Sequence, residues 1–197
     1  MTQRSRALLA LLGATIMLGA LVGTASANRL ATSSQNITAT WTAMNFAGPF
    51  GTVTCPVTLS GSLHSRTITK TAGALIGFIN RATANSGGCS GGSASVRQSS
   101  LPWHVRYLSF SGTLPIITSI RTNIIGAGFE IISGELGPCS VTTTATSPAT
   151  GTFNRNTSTG ALTSVAVGGT IATTCPFVSG SLSGTSNSLT PITVTLI

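Results

Sequence analysis

The sequence predicts an all-β protein, either an antiparallel β-sandwich of jelly-roll or immunoglobulin-like type or a short barrel, stapled by disulfides. Apolar and polar residues alternate with a period of two in several segments, which is typical of half-buried strands. Turn signals that contain glycine separate these segments. Residues 28–197 contain 30 threonines and 24 serines, and β-branched threonine suits the exposed face of a strand.

The alternation is clearest in four segments, which are 37–43, 53–59, 103–107 and 192–196. In the first of them, Trp41 and its alternate neighbours share one face, and three threonines share the other. Segment 68–79 is ambiguous, because its apolar residues have helical spacing while Gly73, Gly77 and flanking threonines favour a strand. We expect a strand there.

The first 27 residues have the layout of a secretory signal. Arg4 and Arg6 precede an apolar run over 7–22, and small residues end at Ala27. We expect cleavage after Ala27 and a single secreted domain over 28–197, outside the cell or at its surface. The apolar run is shorter than the ~20 residues that span a bilayer. No later segment is apolar enough, so no transmembrane helix is expected after cleavage.

The four cysteines of an exported chain predict two disulfides. If the chain folds back near residues 70–72, Cys55 lies close to Cys89, and a second reversal near 157–158 brings Cys139 close to Cys175. We therefore predict Cys55–Cys89 and Cys139–Cys175. The nested pairing, Cys55–Cys175 with Cys89–Cys139, stays open because similar Thr-Cys-Pro segments surround Cys55 and Cys175. No C-x2-C spacing exists, so we expect no metal site.

Acidic residues are nearly absent, since the chain has no aspartate and only two glutamates, Glu130 and Glu135. Most hydrolytic, phosphoryl-transfer and metal chemistry uses carboxylates as bases, nucleophiles or ligands. A glycosidase pair would need both glutamates, but we interpret them as solvated charges. We therefore expect no catalytic residue, no cofactor and no enzyme activity.

The net charge is +8. Six of the eight cations in 28–197 lie between positions 66 and 121, so the positive potential belongs to the middle of the chain. A cell-wall or extracellular polymer, an acidic polysaccharide and a membrane surface are the candidate partners, but we favour the interpretation that the scattered arginines serve only solubility. Nucleic acid fits poorly, because the cations form no run and few aromatics accompany them.

The segment 88–92, Gly-Cys-Ser-Gly-Gly, matches G-x-S-x-G and resembles the nucleophile segment of chymotrypsin-type proteases. That resemblance implies Ser90 as nucleophile and His64 as base. However, the protease arrangement needs an acid between His64 and Ser90, and the sequence has none there. An esterase needs a histidine after the serine and the acid, but no histidine follows His104. We interpret the segment as a glycine-rich turn beside a disulfide.

The segment 101–107, Leu-Pro-Trp-His-Val-Arg-Tyr, holds the candidate ligand-binding residues. Trp103 and Tyr107 share one strand face, and we expect them to belong to the core, with an aromatic platform for a sugar as the alternative. His104 and Arg106 lie on the opposite face.

That segment, with 110–115 after it and with 69–77 and the flanking cysteines before it, resembles a family of uncharacterised secreted proteins from high-GC Gram-positive bacteria. The resemblance covers most of 28–197 and implies a bacterial source and an exported location. The family has no assigned activity, so the resemblance implies no functional residue.

These observations favour a non-catalytic structural or interaction protein at or beyond the cell surface. A carbohydrate- or anionic-polymer-binding module is one alternative. A pilus-type subunit is another, with 37–43 as the donor strand.

Overall fold

The computed structural model describes residues 29–48, 51–133, 136–174 and 180–197, and the predicted signal segment lies outside these ranges. Within them the strands are, in chain order, β1 (Arg29–Thr32), β2 (Asn36–Gly48), β3 (Gly51–Leu63), β4 (Thr67–Thr69), β5 (Leu75–Ala84), β6 (Gly92–Val96), β7 (Trp103–Ser111), β8 (Ser119–Ile125), β9 (Gly128–Ser133), β10 (Leu136–Thr142), β11 (Ala149–Arg155), β12 (Leu162–Thr173), β13 (Gly180–Thr185), β14 (Ser188–Leu189) and β15 (Val194–Leu196). Short 3-10 turns cover Ser86–Gly88 and Gln98–Ser100. No helix in these ranges has the length and apolar character needed to cross a membrane.

Eight strands form a closed antiparallel ring, in the order β11-β8-β7-β5-β3-β2-β13-β12. The ring closes because β11 pairs on both edges: Thr152 lies opposite Arg121 of β8 and opposite Ala166 of β12. The prediction of an all-β antiparallel fold is confirmed, and the closure corresponds to its short-barrel form. Side chains that alternate along each strand therefore point into the ring or out of it.

Two small sheets extend the ring. The end of β12 pairs with β10, and the order continues through β9 to β6; we call β6, β9 and β10 the arm sheet. Separately, β1 pairs with β4 on one edge and with β15 on the other, and these three strands are called the cap sheet.

The buried side chains form two clusters. The first fills the ring and includes Trp41 and Trp103, and it continues into the arm sheet through Phe129, whose ring centroid lies 4.9 Å from that of Phe46. The second lies under the cap sheet and includes Leu30 and Tyr107. The arm and cap sheets thus close the apolar interior near opposite ends of the ring.

Most of the predicted strands are found where the alternation placed them. Segments 37–43, 53–59 and 103–107 lie within β2, β3 and β7, and the last strand is shorter than predicted and begins at Val194. The ambiguous segment contains no helix. It consists of β4, a turn with Gly73 at a φ of 81°, and the start of β5, so the strand character is confirmed and the chain turns close to the expected residues 70–72.

The predicted bridge between Cys55 and Cys89 is present. The chain reverses between β3 and β5 as expected, with Leu59 opposite Ala82. This bridge rules out the nested pairing. Cys139 is buried and disulfide-bonded, whereas Cys175 lies outside the described residues.

Removal of the bridge through the double substitution Cys55→Ala and Cys89→Ala should lower the free energy of unfolding. The bridge joins residues separated by 34 positions, and a closed loop of that length stabilises by about 4 kcal/mol on the chain-entropy account. Urea unfolding of the oxidised protein and of the variant measures the difference. Superimposable unfolding curves would contradict the stabilising role.

Candidate functional site

The exposed wall of three neighbouring strands carries cations without acids. The sequences of β5, β7 and β8 contain no acidic residue, and each strand places one exposed arginine on the outer face of the ring. We call this surface the basic face, and define it by Arg81, Arg106 and Arg121 together with His64, Phe78 and His104.

An aromatic stack occupies the middle of the basic face. Phe78 of β5 lies directly opposite His104 of β7, with ring centroids 5.3 Å apart. On its other side, the imidazole of His64 meets the Phe78 ring edge-on at 4.8 Å. Both histidines are exposed, and Phe78 between them is half-buried. The three rings form a short apolar and polarisable strip between the arginines.

The arginines lie along a diagonal across the three strands. Arg81 lies opposite Ser60, Arg106 opposite Asn123, and Arg121 opposite Ser109. At about 3.3 Å per residue along a strand and about 4.8 Å between strands, Arg81 and Arg121 are on the order of 20 Å apart.

The arginines keep most of their donors for a partner. Arg106 donates from Nη1 to the Gly73 carbonyl oxygen at 3.0 Å, which orients its guanidinium group and leaves further N–H donors. Arg155 is different, because it donates to the carbonyl oxygens of Val194 and Ile117 at 2.8 and 2.9 Å. Arg155 therefore joins the cap sheet to the ring and does not belong to the basic face.

The four candidate ligand-binding residues divide between the surface and the core. His104 and Arg106 lie on the basic face. Trp103 and Tyr107 are 1% and 2% exposed, and Trp103 donates from Nε1 to Ser100 Oγ at 2.9 Å. The core interpretation of these two aromatics is confirmed, so they form no surface platform for a sugar.

Phe78 is the member of the basic face that sequence reasoning missed. It belongs to the segment of mixed periodicity, where no face could be assigned. A usable signal existed in the chain reversal expected near residues 70–72, because that reversal places residue 78 close to His64 on the neighbouring strand.

The serine motif and its proposed base are far apart. Ser90 pairs with Thr54 near the start of β3, and His64 follows the end of the same strand. Ten strand residues correspond to about 30 Å, so Ser90 does not reach the imidazole.

Glu130 is the acidic residue within the described ranges. It lies on β9, opposite Ser95 of β6 on one side and Ser140 of β10 on the other. Glu135 lies outside these ranges. No group of three or more histidine, cysteine or acidic side chains in the described part of the chain could hold a metal ion. The arrangement therefore offers cations, imidazoles and a phenyl ring for binding.

Comparisons with known protein families, with curated proteins and with solved structures found no match to this chain.

Alkaline pH should destabilise the folded protein through Tyr107, the single tyrosine of the chain. Burial raises the pKa of Tyr107 above its usual value, because desolvation disfavours the phenolate. The stabilisation is complete below about pH 10, the usual tyrosine pKa, and it is lost as the pH rises through the raised pKa. Tyrosinate absorbance should therefore appear together with the loss of the β-sheet circular dichroism signal.

The matched control for this titration is Tyr107→Phe, which keeps the ring and removes the ionisable group. This variant should remain folded to a higher pH than the parent protein. Ionisation of Tyr107 at its usual pKa in a fully folded chain would contradict the expectation.

Proposed function

We propose that the chain is an exported, non-catalytic protein that acts at or beyond the cell surface and binds an anionic extracellular polymer along its basic face. The observation that carries the proposal is the set of three exposed arginines on three adjacent strands that contain no acid. Guanidinium groups bind carboxylate and phosphate with two parallel hydrogen bonds.

The spacing of the arginines favours a polymer over a small anion. Cations on the order of 20 Å apart contact several units of an extended chain at once, and each contact adds to the binding. The His64–Phe78–His104 stack lies between the charges and offers ring edges and faces that the sugar rings of such a polymer can contact.

Other features are consistent with an exported location. The N-terminal segment has the layout of a secretory signal. The Cys55–Cys89 disulfide is typical of proteins that fold in an oxidising compartment.

A pilus-type role has less support. The run proposed as a donor strand, 37–43, lies in β2, which pairs with β3 on one edge and with β13 and β14 on the other. Both edges of this run are thus engaged within the chain.

The triple substitution Arg81→Gln, Arg106→Gln and Arg121→Gln should weaken binding to polygalacturonate and to isolated Gram-positive cell walls. Exposed ion pairs contribute little one by one, so removing three should weaken binding by roughly 10- to 100-fold at low salt. Co-sedimentation with cell walls and biolayer interferometry on immobilised polygalacturonate measure the change.

The matched control is the triple lysine variant at the same positions, which keeps the charge and should retain most of the binding. Wild-type affinity should fall steeply as salt is raised, and neutral dextran should not bind. Equal binding by the glutamine variant and the parent, or salt-independent binding of dextran, would refute the proposal.

A further inference from the structure

A cavity of about 90 Å³ lies inside the ring where the two buried clusters meet. Ala39, Trp41 and Val165 line it from the ring, and Ile68 and Val194 line it from the cap sheet. We call it the lumen cavity. It lies within the ring, whereas the arginines and histidines of the basic face lie on the outside, and Phe78 is the member of the basic face that also lines the cavity.

The polar side chains around the lumen cavity already have partners. Thr122 Oγ1 donates to the Gly151 carbonyl oxygen at 3.3 Å, and Thr32 Oγ1 donates to the Arg66 carbonyl oxygen at 3.2 Å. The third, the Ser62 hydroxyl oxygen, accepts a hydrogen bond of 2.8 Å from an asparagine side chain. The surface that the cavity presents is almost wholly apolar, so a polar ligand would lose its hydrogen bonds to water without replacement.

Trp41 does not change this conclusion. Its Nε1 has no hydrogen-bond partner in the described part of the chain, but the atom is fully buried. The indole therefore presents carbon atoms to the cavity, and no donor is available there for a ligand oxygen.

We propose that the lumen cavity binds one small, wholly apolar molecule of about the size of benzene. Rings of eight strands have an interior that side chains fill or that holds one small ligand. An apolar protein cavity of about 150 Å³ binds benzene or xenon. The lumen cavity is smaller, so benzene is the upper limit of the size of its ligand. Sites for drug-sized ligands occupy roughly 300–1,000 Å³, so the volume excludes long acyl chains.

Methyl NMR of the full folded chain tests the proposal, with benzene as the probe and phenol as its polar counterpart. Benzene should produce saturable ring-current shifts in the methyl groups of Val165 and Val194, which line the cavity. The methyl groups of Val53 and Val141, which are buried elsewhere, should not move. Phenol should bind at least about 10-fold more weakly, because its hydroxyl finds no partner.

Two variants change the volume in opposite directions. Ala39→Leu adds three carbons at the lining and should abolish the benzene shifts. Val165→Ala removes two carbons and should admit toluene more tightly than the parent does. The proposal is overturned if benzene causes no saturable shift in the parent, if phenol binds equally well, or if folded Ala39→Leu still binds benzene. If Ala39→Leu does not fold, two measurements still test the proposal. These are the comparison of benzene with phenol in the parent protein and the binding of toluene by Val165→Ala.

Discussion

Closure of the ring through β11 is the constraint on which the rest of the structure depends. An open sheet of the same strands would present two faces and two unpaired edges. Because β11 pairs with both β8 and β12, the period-two alternation instead separates an inside from an outside. The inside holds the large apolar side chains, and the outside collects the hydroxyls and the cations. Both proposed sites follow from this one separation.

Neutral hydrogen bonds between neighbouring strands stabilise the outer surface. Thr40 and Thr58 share a bond of 3.1 Å between β2 and β3, and Asn154 donates to Ser164 at 3.0 Å between β11 and β12. Cross-strand pairs of this kind contribute roughly 0.2–1 kcal/mol each. The fold therefore does not need acidic residues to satisfy its polar face, and the exposed arginines keep their charge available for a partner.

Local patterns predict the strands but not their closure. Neighbouring residues determine the alternation around Trp41 and Val57, which was predictable. The hairpin that brings Cys55 to Cys89 was predictable in the same way. The β11–β8 pairing is non-local, and the same alternation suits a sandwich equally well. In β5 the register shifts opposite Val105 and again opposite Gly61. These bulges reset the period by one residue, which explains the helical spacing of Ile76 and Ile79 and the failure to assign Phe78 to a face.

The chain order of the strands explains why cations from the middle of the sequence lie close together on the surface. β3, β5, β7 and β8 are neighbours in the ring in nearly the order in which they follow one another in the chain. Three of the six cations in the middle of the sequence consequently share one wall, whereas a sandwich that split these strands between two sheets would separate them. Screening weakens the repulsion among the exposed arginines at physiological salt, where the Debye length is about 8 Å. The fold tolerates this charge, and an anionic chain that contacts several arginines at once would release their counterions and relieve the remaining repulsion.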